Sequence, residues 1–316
     1  MQGKRGHGEA QASGDHGGET EGGGRLYVVA TPIGNLADVT LRALETLRAV
    51  DTVFAEDTRH AAGLLAHHSI RARLAALHEH NEREAARAVC RLLAAGKDVA
   101  LLSDAGTPAI SDPGAIAVAA VRAAGYDVVP VPGPSAAVAA LSVAGLPGPY
   151  AFIGFLPAKA AARRAALEAW RAFAHTLVCY EAPHRILECL DDLAAVLGGE
   201  RTVVLARELT KLFETVHACP LAAARAWLEA VPDRQRGEFV VLVSGATTDV
   251  AAVRAADGER VLRLLLEELP VRSAARLAAG ITGARKNDLY ARALELKEPP
   301  LPPQRRRRKA PAKLRS

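Results

Sequence analysis

The polar residues that could do chemistry are concentrated in residues 99–114, where an apolar run gives way to small and acidic side chains. A buried strand is predicted to deliver Asp104 to the edge of a sheet, where Gly106 lets a ligand approach the backbone closely and Thr107 offers a hydroxyl. A carboxylate and open amides at one strand end suit a zwitterionic ligand with an ammonium, a carboxylate and a ribose. Asp112, which precedes a proline, predicts a capped helix start. An ordinary capped turn would explain Asp112, but it explains the other residues less well.

Two further loops follow predicted strands in the same way. Residues 31–36 contain Pro32 and Gly34, which predict a tight turn with exposed backbone groups. Residues 131–135 place a glycine between two prolines, and this stiff turn would hold Ser135 at the start of an Ala-rich helix, although a plain serine cap also explains that serine. The first loop is not GxGxxG and the chain has no GxxxxGK[ST], so the usual dinucleotide and P-loop sites are not supported.

The second half of the chain repeats this arrangement of polar residues beside apolar runs. The segments concerned are residues 154–157, 180–185, 207–214 and 237–238. Pro183 is predicted to open the helix that follows the second segment. A solvated charged surface would explain the alternating charges of 207–214 equally well. A functional interpretation is favoured because each polar group lies at the end of an apolar strand.

Short β-branched runs alternate with amphipathic stretches rich in Ala, Leu and Arg from residue 25 to about residue 246, which predicts an α/β fold with largely buried sheets. The predicted strands are 26–30, 52–55, 99–103, 127–131, 150–155, 176–180, 202–206 and 239–243. The predicted helices include 41–50, 82–95 with Asn81 as its cap, 114–124, 161–173 and 185–197.

Two interruptions of this pattern predict domain boundaries. Two glycines and two prolines within 145–149 divide an N-terminal αβα domain (25–146) from a C-terminal αβα domain (149–246). A second break at 245–257 precedes an all-helical region (258–297) with predicted helices at 261–269, 273–279 and 288–296. The last two helices resemble a helix-turn-helix, although a plain helical hairpin is the more frequent cause of such a pattern.

Both ends of the chain are predicted to be disordered, because the leader (1–24) and the tail (298–316) hold almost no large apolar side chains. The net charge of the chain is +5, and residues 305–316 contain seven basic residues and no acidic one. A neutral body with a basic tail is common among proteins that bind polyanions. A solvated tail without a partner explains the charge equally well.

Composition narrows the class of protein further. The chain is 50% hydrophobic and 24% charged, which is ordinary for a soluble globular protein. No apolar run approaches the roughly 20 residues that cross a bilayer, and the start of the chain has no secretory apolar region, so we expect a cytoplasmic protein and no membrane partner. The cysteines form no CxxC pair and no zinc set, so reduced thiols and no metal site are expected; they are Cys90, Cys179, Cys189 and Cys219.

Taken together, the loops at the strand ends resemble the tetrapyrrole methylase superfamily and, more narrowly, its ribosomal RNA small subunit methyltransferase I family. The matching strings, in chain order, are ATPIGNLADVTLRALETL (30–47), AEDTR (55–59), LLSDAGTPAISDPG (101–114), VPGPSA (131–136), GFLP (154–157), YEAPHR (180–185), ARELTKLFE (206–214) and GEFVVL (237–242). The leader and the basic tail fall outside this resemblance.

The resemblance implies a fold, a cofactor and a reaction. The fold would be two αβα domains with S-adenosylmethionine (SAM) bound in the cleft between them, usually in a homodimer, and the helical region 258–297 would extend the RNA-binding surface. The reaction would be 2′-O-methylation of a cytidine ribose in the decoding centre of 16S rRNA, within the 30S subunit. Carried onto this sequence, the cofactor-binding residues would be Pro32, Gly34, Asp104, Gly106, Thr107, Ser135, Phe155 and Leu156, with Asp104 facing the methionine portion. The substrate side would be bordered by Glu181, Arg185, Lys211 and Glu214.

The implied chemistry needs a group that assists a weakly acidic hydroxyl. A base could remove the proton, or a cation could stabilise the developing alkoxide. Lys211 could serve if desolvation lowers its pKa, with Glu181, Glu208 or Glu214 orienting it. His184 is a rival because an unperturbed imidazole titrates near neutrality.

Other functions remain as alternatives at this point. The first is methylation of a tetrapyrrole at carbon, against which the strings ATPIGN, AEDTR and YEAPHR and the basic tail argue. The second is a non-catalytic RNA-binding protein, which the complete set of polar loops argues against. The third is a nucleotide-binding oxidoreductase, for which neither GxGxxG nor a ribose-binding acid is present.

Overall fold

Ten strands in two sheets organise the computed structural model, which describes residues 23–246 and 250–297. The chain divides after Ala246 into two compact units, and both sheets belong to the first unit. The predicted tail and nearly all of the predicted leader lie outside the described residues. Gly24, the last residue of the predicted leader, is described, and its N–H donates to the carbonyl of Leu93 at 2.9 Å.

The first sheet is wholly parallel. Its strands are β1 (Leu26–Val29), β2 (Thr52–Ala55), β3 (Arg73–Ala76), β4 (Val99–Leu102) and β5 (Val128–Val131), in the spatial order β3-β2-β4-β1-β5. The helices α1 (Leu41–Ala49), α2 (Thr58–His67), α3 (Glu82–Ala94) and α4 (Ala115–Ala123) lie between these strands in the chain. Parallel strands end at the same edge of a sheet, so the loops after β1, β4 and β5 must lie side by side.

The second sheet is mixed. Helix α5 (Ala136–Ala144) leads into β6 (Tyr150–Phe155), β7 (Thr176–Glu181), β8 (Thr202–Arg207), β9 (Thr215–Pro220) and β10 (Phe239–Val243), whose spatial order is β6-β7-β10-β8-β9. Only β6 and β7 pair in parallel; the other neighbours are antiparallel. The remaining helices of this unit are α6 (Ala160–Glu168), α7 (Ile186–Leu197) and α8 (Leu221–Glu229).

Successive side chains along each strand point to opposite faces of the second sheet, and both faces are buried. Leu177 and Cys179 point to the face covered by α6, α7 and α8, whereas Val178 points to the opposite face and packs against α5. The same helix that starts at the carboxyl edge of the first sheet therefore covers the second sheet. This shared helix brings the ends of both sets of strands to one region.

The α/β prediction is confirmed, and all eight predicted strands are present within one residue at each end. Two strands were not predicted, β3 and β9. β3 has the sequence RLAA, with no β-branched residue, and it lies at the edge of its sheet with both end residues exposed. β9 is also an edge strand, in which half-buried and exposed residues alternate. It directly follows the charged segment 207–214, so the sequence does not indicate where the strand begins.

The predicted start or cap of three helices differs from the structure. Helix α4 begins at Ala115, so Asp112 does not cap it; instead Oε1 of Glu82, on the neighbouring α3, accepts the N–H groups of Gly114 and Ile116, both at 2.8 Å. Pro183 lies in the turn before α7 rather than inside it. Asn81 does precede α3, but its side chain caps no N–H of that helix; it accepts from the N–H of the residue at 78 and donates to the carbonyl at 76.

The second compact unit is helical, as predicted. Its helices are α9 (Val250–Glu268), α10 (Val271–Thr282) and α11 (Lys286–Lys297), and Gly283 ends α10 in the left-handed conformation with φ of 71°. Leu262, Ala275 and Leu289 contribute one residue per helix to a small buried core. Among the described helices of the chain, none is both long enough and apolar enough to span a membrane.

The four cysteines are free thiols, as predicted, and two of them are buried. Burial raises the pKa of Cys179 to about 12 and also raises the pKa of Cys189, so both remain protonated at neutral pH. Within the described residues, no group of three or more His, Cys, Asp or Glu side chains could hold a metal ion.

A buried ion pair joins α6 to α7. Arg163 is fully buried and Asp192 is 2% exposed, with Nε and Nη2 of the arginine 2.7 and 2.6 Å from Oδ2 of the aspartate. We expect Asp192→Ala to lower the free energy of unfolding by about 3–5 kcal/mol, because it leaves the buried guanidinium with only the exposed carboxylate of Glu188, 3.7 Å away, as a counter-charge. Chemical denaturation of the two proteins measures this difference.

Asp191 is the matched control for that substitution. It is the preceding residue of the same helix, but it is half-exposed and pairs with the exposed Arg225 at 2.5 Å. Exposed pairs contribute little, so Asp191→Ala should leave the unfolding midpoint nearly unchanged. Equal losses of stability in the two variants would contradict a special role for the buried pair.

Candidate functional site

Three loops meet at the carboxyl edge of the first sheet, as the sequence predicts. Thr31 and Gly106 exchange backbone hydrogen bonds of 2.8 and 3.1 Å, which join the loop after β1 to the loop after β4. The hydroxyl of Thr107 donates to the carbonyl of Pro134 at 3.1 Å, which joins the loop after β4 to the loop after β5. Gly106 has a φ of 80°, a conformation that favours glycine.

These loops form one wall of a cavity of about 360 Å³, and the ends of the second sheet form the other wall. This volume is within the range of small-molecule sites. The wall from the first sheet includes Ile33, Ala105, Gly106, Thr107, Ile110, Ser111, Asp112, Ser135 and Ala136. The wall from the second sheet includes Phe155, Tyr180, Glu181, Ala182, Pro183, Ala206, Leu209, Glu238, Phe239 and Val240.

Tyr180 ties the two walls together. Its ring lies edge-on to Phe155 and Phe152, at centroid distances of 5.6 and 4.9 Å. Its hydroxyl oxygen accepts the N–H of Ala137, in the first turn of α5, at 3.3 Å. Burial raises the pKa of Tyr180, which keeps the phenol neutral. The cavity therefore has a fixed aromatic side, suited to a planar ring such as a nucleobase.

The predicted cofactor residues fall into two groups. Gly106, Thr107, Ser135 and Phe155 line the cavity, and Ser135 occupies the cap position of α5 without a side-chain cap hydrogen bond. The other four do not line it. Pro32 is buried beneath the loop, while its neighbour Ile33 reaches the cavity.

The remaining predicted residues support the site from outside. Leu156 is buried, and its carbonyl accepts Nη2 of Arg185 at 2.5 Å. Asp104 accepts the N–H of Asp57 at 3.0 Å and lies 3.1 Å from Nδ1 of His60. Asp104 thus holds the loop after β2 against the loop after β4.

Carboxylates in the loops after β2 and β4 give the adjoining part of the cavity a negative potential. Asp112 lines the cavity, and burial together with the charge of Asp104 raises its pKa. Burial, with the charges of Asp112 and Asp104, also raises the pKa of Glu56. Like charges raise each other's pKa because ionising one carboxylate disfavours ionising the next. A cationic ligand, such as one with an ammonium or a sulfonium, would relieve this repulsion.

Gly34 marks the closest approach of the first sheet's loops to the loop after β8. A Cβ at this position would lie 2.5 Å from Cγ of Lys211, 2.8 Å from Oγ1 of Thr210 and 2.9 Å from the carbonyl oxygen of Leu209. The Thr210 hydroxyl is buried and has no hydrogen-bond partner among the described residues. The loop after β1 can take this position only because residue 34 has no side chain.

Lys211 is held between two carboxylates. Its Nζ lies 2.9 Å from Oε1 of Glu208 and 2.9 Å from Oε2 of Glu238. Burial by itself lowers the pKa of Lys211, but its hydrogen bonds and charge interactions with Glu238 and Glu208 outweigh burial and raise the pKa above its usual value. The condition for Lys211 as a base, a lowered pKa, is therefore not met, and the ammonium is charged at neutral pH.

The loop that carries Lys211 is strained and tightly bonded. Glu208 and Thr210 have φ of 53° and 65°, and Ala109, in the loop after β4, has φ of 64°; these are three of the four non-glycine residues with positive φ in the described part of the chain. Glu214 accepts the N–H of Thr210 at 2.6 Å, so its carboxylate supports this loop. Strained residues of this kind concentrate at functional sites.

Glu181 and Arg185 form an internal pair at the end of β7. Glu181 is 2% exposed, lines the cavity, and lies 3.1 Å from Nε of Arg185. The backbone N–H of Ala182 also donates to Glu181, at 2.8 Å. His184, the rival base, is exposed and lies in a separate surface groove with Leu187 and other residues. The imidazole therefore does not line the cavity.

Among the cavity residues that are absent from the predicted site, four bear on its chemistry: Ile33, Asp112, Tyr180 and Glu238. Each lies within a segment that the sequence singled out. Ile33 separates two predicted residues, and Tyr180 precedes Glu181. The sequence predicts Asp112 only as a helix cap. Glu238 ends the loop before β10, and only the antiparallel direction of that strand brings it to the site.

Two family models match the chain. The model described as Tetrapyrrole (Corrin/Porphyrin) Methylases matches residues 25–225. The model described as RsmI C-terminal HTH domain matches residues 252–297. The first covers the first sheet and β6 to β9 of the second sheet and ends within α8, before β10, and the second covers most of the helical unit.

Two curated relatives carry the name "Ribosomal RNA small subunit methyltransferase I". The protein of Pseudomonas aeruginosa is 55% identical over 274 residues, 86% of this chain and 97% of the relative. The protein of Escherichia coli O157:H7 is 52% identical over 273 residues, 86% of this chain and 95% of the relative. The similarity therefore extends over nearly the whole length of both relatives.

A solved structure has the same fold. It is the uroporphyrin-III C-methyltransferase of Thermus thermophilus in complex with S-adenyl homocysteine, with a TM-score of 0.52 and 20% identity. The alignment covers 70% of this chain and 97% of that structure. At this identity, the likeness concerns the fold alone.

Proposed function

This chain belongs to the tetrapyrrole methylase family, in its ribosomal RNA small subunit methyltransferase I branch, and from this premise we propose that it methylates the 2′-hydroxyl of a cytidine ribose in the decoding centre of 16S rRNA. It is a methyltransferase, and SAM is its methyl donor. The observation that supports the substrate is identity of 52–55% over nearly the full length of two relatives with that name. C-methylation of a tetrapyrrole, the alternative, has no comparable support.

The cavity residues fit SAM in chemistry and shape. We assign its binding to Gly106, Thr107, Ser135 and Phe155, as the sequence predicts, and we add Ile33 as an apolar wall residue. Asp112 and the neighbouring carboxylates favour a ligand with positive charge, and Tyr180 and Phe155 offer faces for an adenine. When bound, SAM supplies an electrophilic methyl group, so the protein's main task is alignment of the hydroxyl.

Lys211 and Glu238 would act on the ribose hydroxyl. Glu238 lines the cavity, and its carboxylate would take up the proton that the hydroxyl loses. The charged ammonium of Lys211, 2.9 Å from Glu238, would stabilise negative charge on the 2′-oxygen. In this proposal Glu181, Arg185 and Glu214 border the substrate side, with Arg185 and Glu214 fixing the backbone around it.

The wider setting is also a proposal. The substrate would be the assembled 30S subunit rather than naked 16S rRNA, because shape recognition favours an assembled particle. The enzyme would act in the cytoplasm as a homodimer, without a metal, and the helical region 258–297 would contact RNA. The division of the first unit into domains at 25–146 and 149–246 stays a prediction as well.

A methyl-transfer assay tests the function. The protein is incubated with methyl-tritiated SAM and 30S subunits from a strain that lacks this activity, and nuclease digestion maps the label. We expect label on one cytidine ribose of the decoding centre. Label on a porphyrinoid and none on 30S subunits or free 16S rRNA would overturn the proposal. Asp104→Ala, which removes the bond between the loops after β2 and β4, should lose SAM binding and serves as the inactive control.

The basic tail gives a separate prediction. Replacing the seven basic residues of 305–316 by glutamine should weaken binding to 16S rRNA and flatten its salt dependence, because each lost phosphate contact lowers the slope of log K against log salt by about 0.7–0.9. Filter binding at several salt concentrations measures the slope. A slope equal to that of the unchanged protein would show that the tail does not contact phosphate.

A further inference from the structure

Helix α3 carries a row of three arginines with no assigned role. Arg83, Arg87 and Arg91 are spaced four residues apart, which places them on one face of the helix over successive turns. All three are exposed, and none of their side chains makes a hydrogen bond or an ion pair with any described residue. Other arginines of the first unit, such as Arg163 and Arg185, are engaged in ion pairs.

The row borders a surface groove between α3 and α4. The floor of the groove consists of small or apolar side chains, namely Ala86, Cys90, Ile116 and Ala120, and all three arginines line it. No acidic side chain lines this groove. A groove with a cationic rim and an apolar floor is complementary to a sugar–phosphate strand, whose charge lies along its edge.

The groove is continuous with the active-site loop. Glu82, at the start of α3, accepts the N–H groups of Gly114 and Ile116, so the first turns of α3 and α4 are bonded together. Ile116 lines the groove, and Asp112, four residues earlier, lines the cavity. Residues 112–116 therefore connect the cavity to the groove.

We propose that the groove between α3 and α4 binds the phosphate backbone of the substrate RNA beside the methylated nucleotide. This inference rests on the proposed function, because it takes the substrate to be RNA. Arginine is suited to the role because its planar guanidinium can donate two hydrogen bonds to one phosphate. A second copy of this chain is a poorer occupant, because a symmetric contact would place the three arginines against themselves.

The test compares two triple variants with equal loss of charge. The first is Arg83→Gln with Arg87→Gln and Arg91→Gln. The control is Arg48→Gln with Arg71→Gln and Lys97→Gln, three exposed residues of the same unit that do not line the groove and whose side chains make no hydrogen bond or ion pair with a described residue. Each is assayed for methyl transfer to 30S subunits, filter binding of 16S rRNA at several salt concentrations, SAM binding, and sedimentation.

We expect the first variant to raise KM for 30S subunits at least tenfold at physiological salt, with kcat and the Kd for SAM unchanged. The salt slope of 16S rRNA binding should fall by about 2, which is the loss of three phosphate contacts on a single strand. The control should keep KM, and its slope should change by less than half as much. The reduced slope would support the groove even if 30S subunits proved not to be methylated.

Other results would overturn the inference. If the wild-type protein methylates 30S subunits and the first variant has the same KM and slope as the control, the proposed function stands and the groove does not bind RNA. A change of oligomeric state in the first variant alone would identify the face as a contact between copies. If the wild-type protein neither binds 16S rRNA nor methylates it, both proposals fail together.

Discussion

Lys211→Met should lower kcat for methyl transfer by roughly a hundred- to a thousandfold while SAM binding stays within about threefold of wild type. The expected loss is that of a preorganised charge beside a developing oxyanion. The ammonium does not line the cavity that we assign to SAM; it lies one side chain behind it, bonded to Glu238. Its removal should therefore act on the reaction rather than on cofactor affinity. Single-turnover rates and equilibrium dialysis separate the two effects.

The pH profile distinguishes a charged Lys211 from a basic one. Glu238 and Glu208 raise the pKa of Lys211, so the ammonium stays protonated even at a pH where an ordinary lysine begins to lose its proton. Its contribution to the rate should be lost only as the pH rises through that raised pKa. We therefore expect the pH–rate profiles of wild type and Lys211→Met to have the same shape between pH 6 and 9. A rate that rises with pH through neutrality in wild type alone would instead identify Lys211 as the base.

Lys97→Met is the control for this substitution. Lys97 is exposed, and its ammonium makes no hydrogen bond or ion pair with a described residue. Its replacement removes the same charge and adds the same thioether, so kcat should match that of wild type. A similar loss in both variants would mean that net charge, and not the position of Lys211, determines the rate.

The strand-end loops were the most predictable part of this protein. Short runs of β-branched residues between amphipathic stretches indicate β1, β4 and β5. The geometry of a parallel sheet then requires the loops after these strands to meet. This is why Gly106, Thr107 and Ser135 could be placed in one site from sequence. Edge strands such as β3 were not predictable, because their short, alanine-rich sequences have little burial to reveal them.

Contacts between distant segments account for the remaining differences. The cap of α4 comes from Glu82 on another helix, a partner that no local pattern around Asp112 could indicate. The charge state of Lys211 depends on Glu238, 27 residues further along the chain, and on the antiparallel strand that returns it. Sequence reasoning found the segments that carry these groups, but their pKa values depend on the three-dimensional arrangement.

Gly34→Ala should weaken SAM binding at least tenfold and lower kcat by about a hundredfold or more. The new methyl group would lie 2.9 Å from the carbonyl oxygen of Leu209, a backbone atom that cannot move aside without moving the loop. Ile33, on the cavity wall, and Lys211 would both shift, and displacements near 1 Å can cost a hundredfold in rate. Calorimetric titration with SAM and single-turnover assays measure the two losses.

Gly63→Ala is the matched control, because it adds the same methyl group at a position where no loss of activity is expected. Gly63 lies inside α2, and a Cβ there would meet no atom within 4 Å. In a helix interior, alanine is more stable than glycine by roughly 0.5–1 kcal/mol, so this variant should be slightly more stable and fully active.

If Gly34→Ala also kept wild-type SAM affinity and kcat, the loops after β1 and β8 would have to separate freely. The close approach at Gly34 would then not be what aligns the two walls of the site. If only Gly34→Ala fails, the methyl group acts through the backbone of Leu209, and the contact between the two loops sets the geometry for methyl transfer.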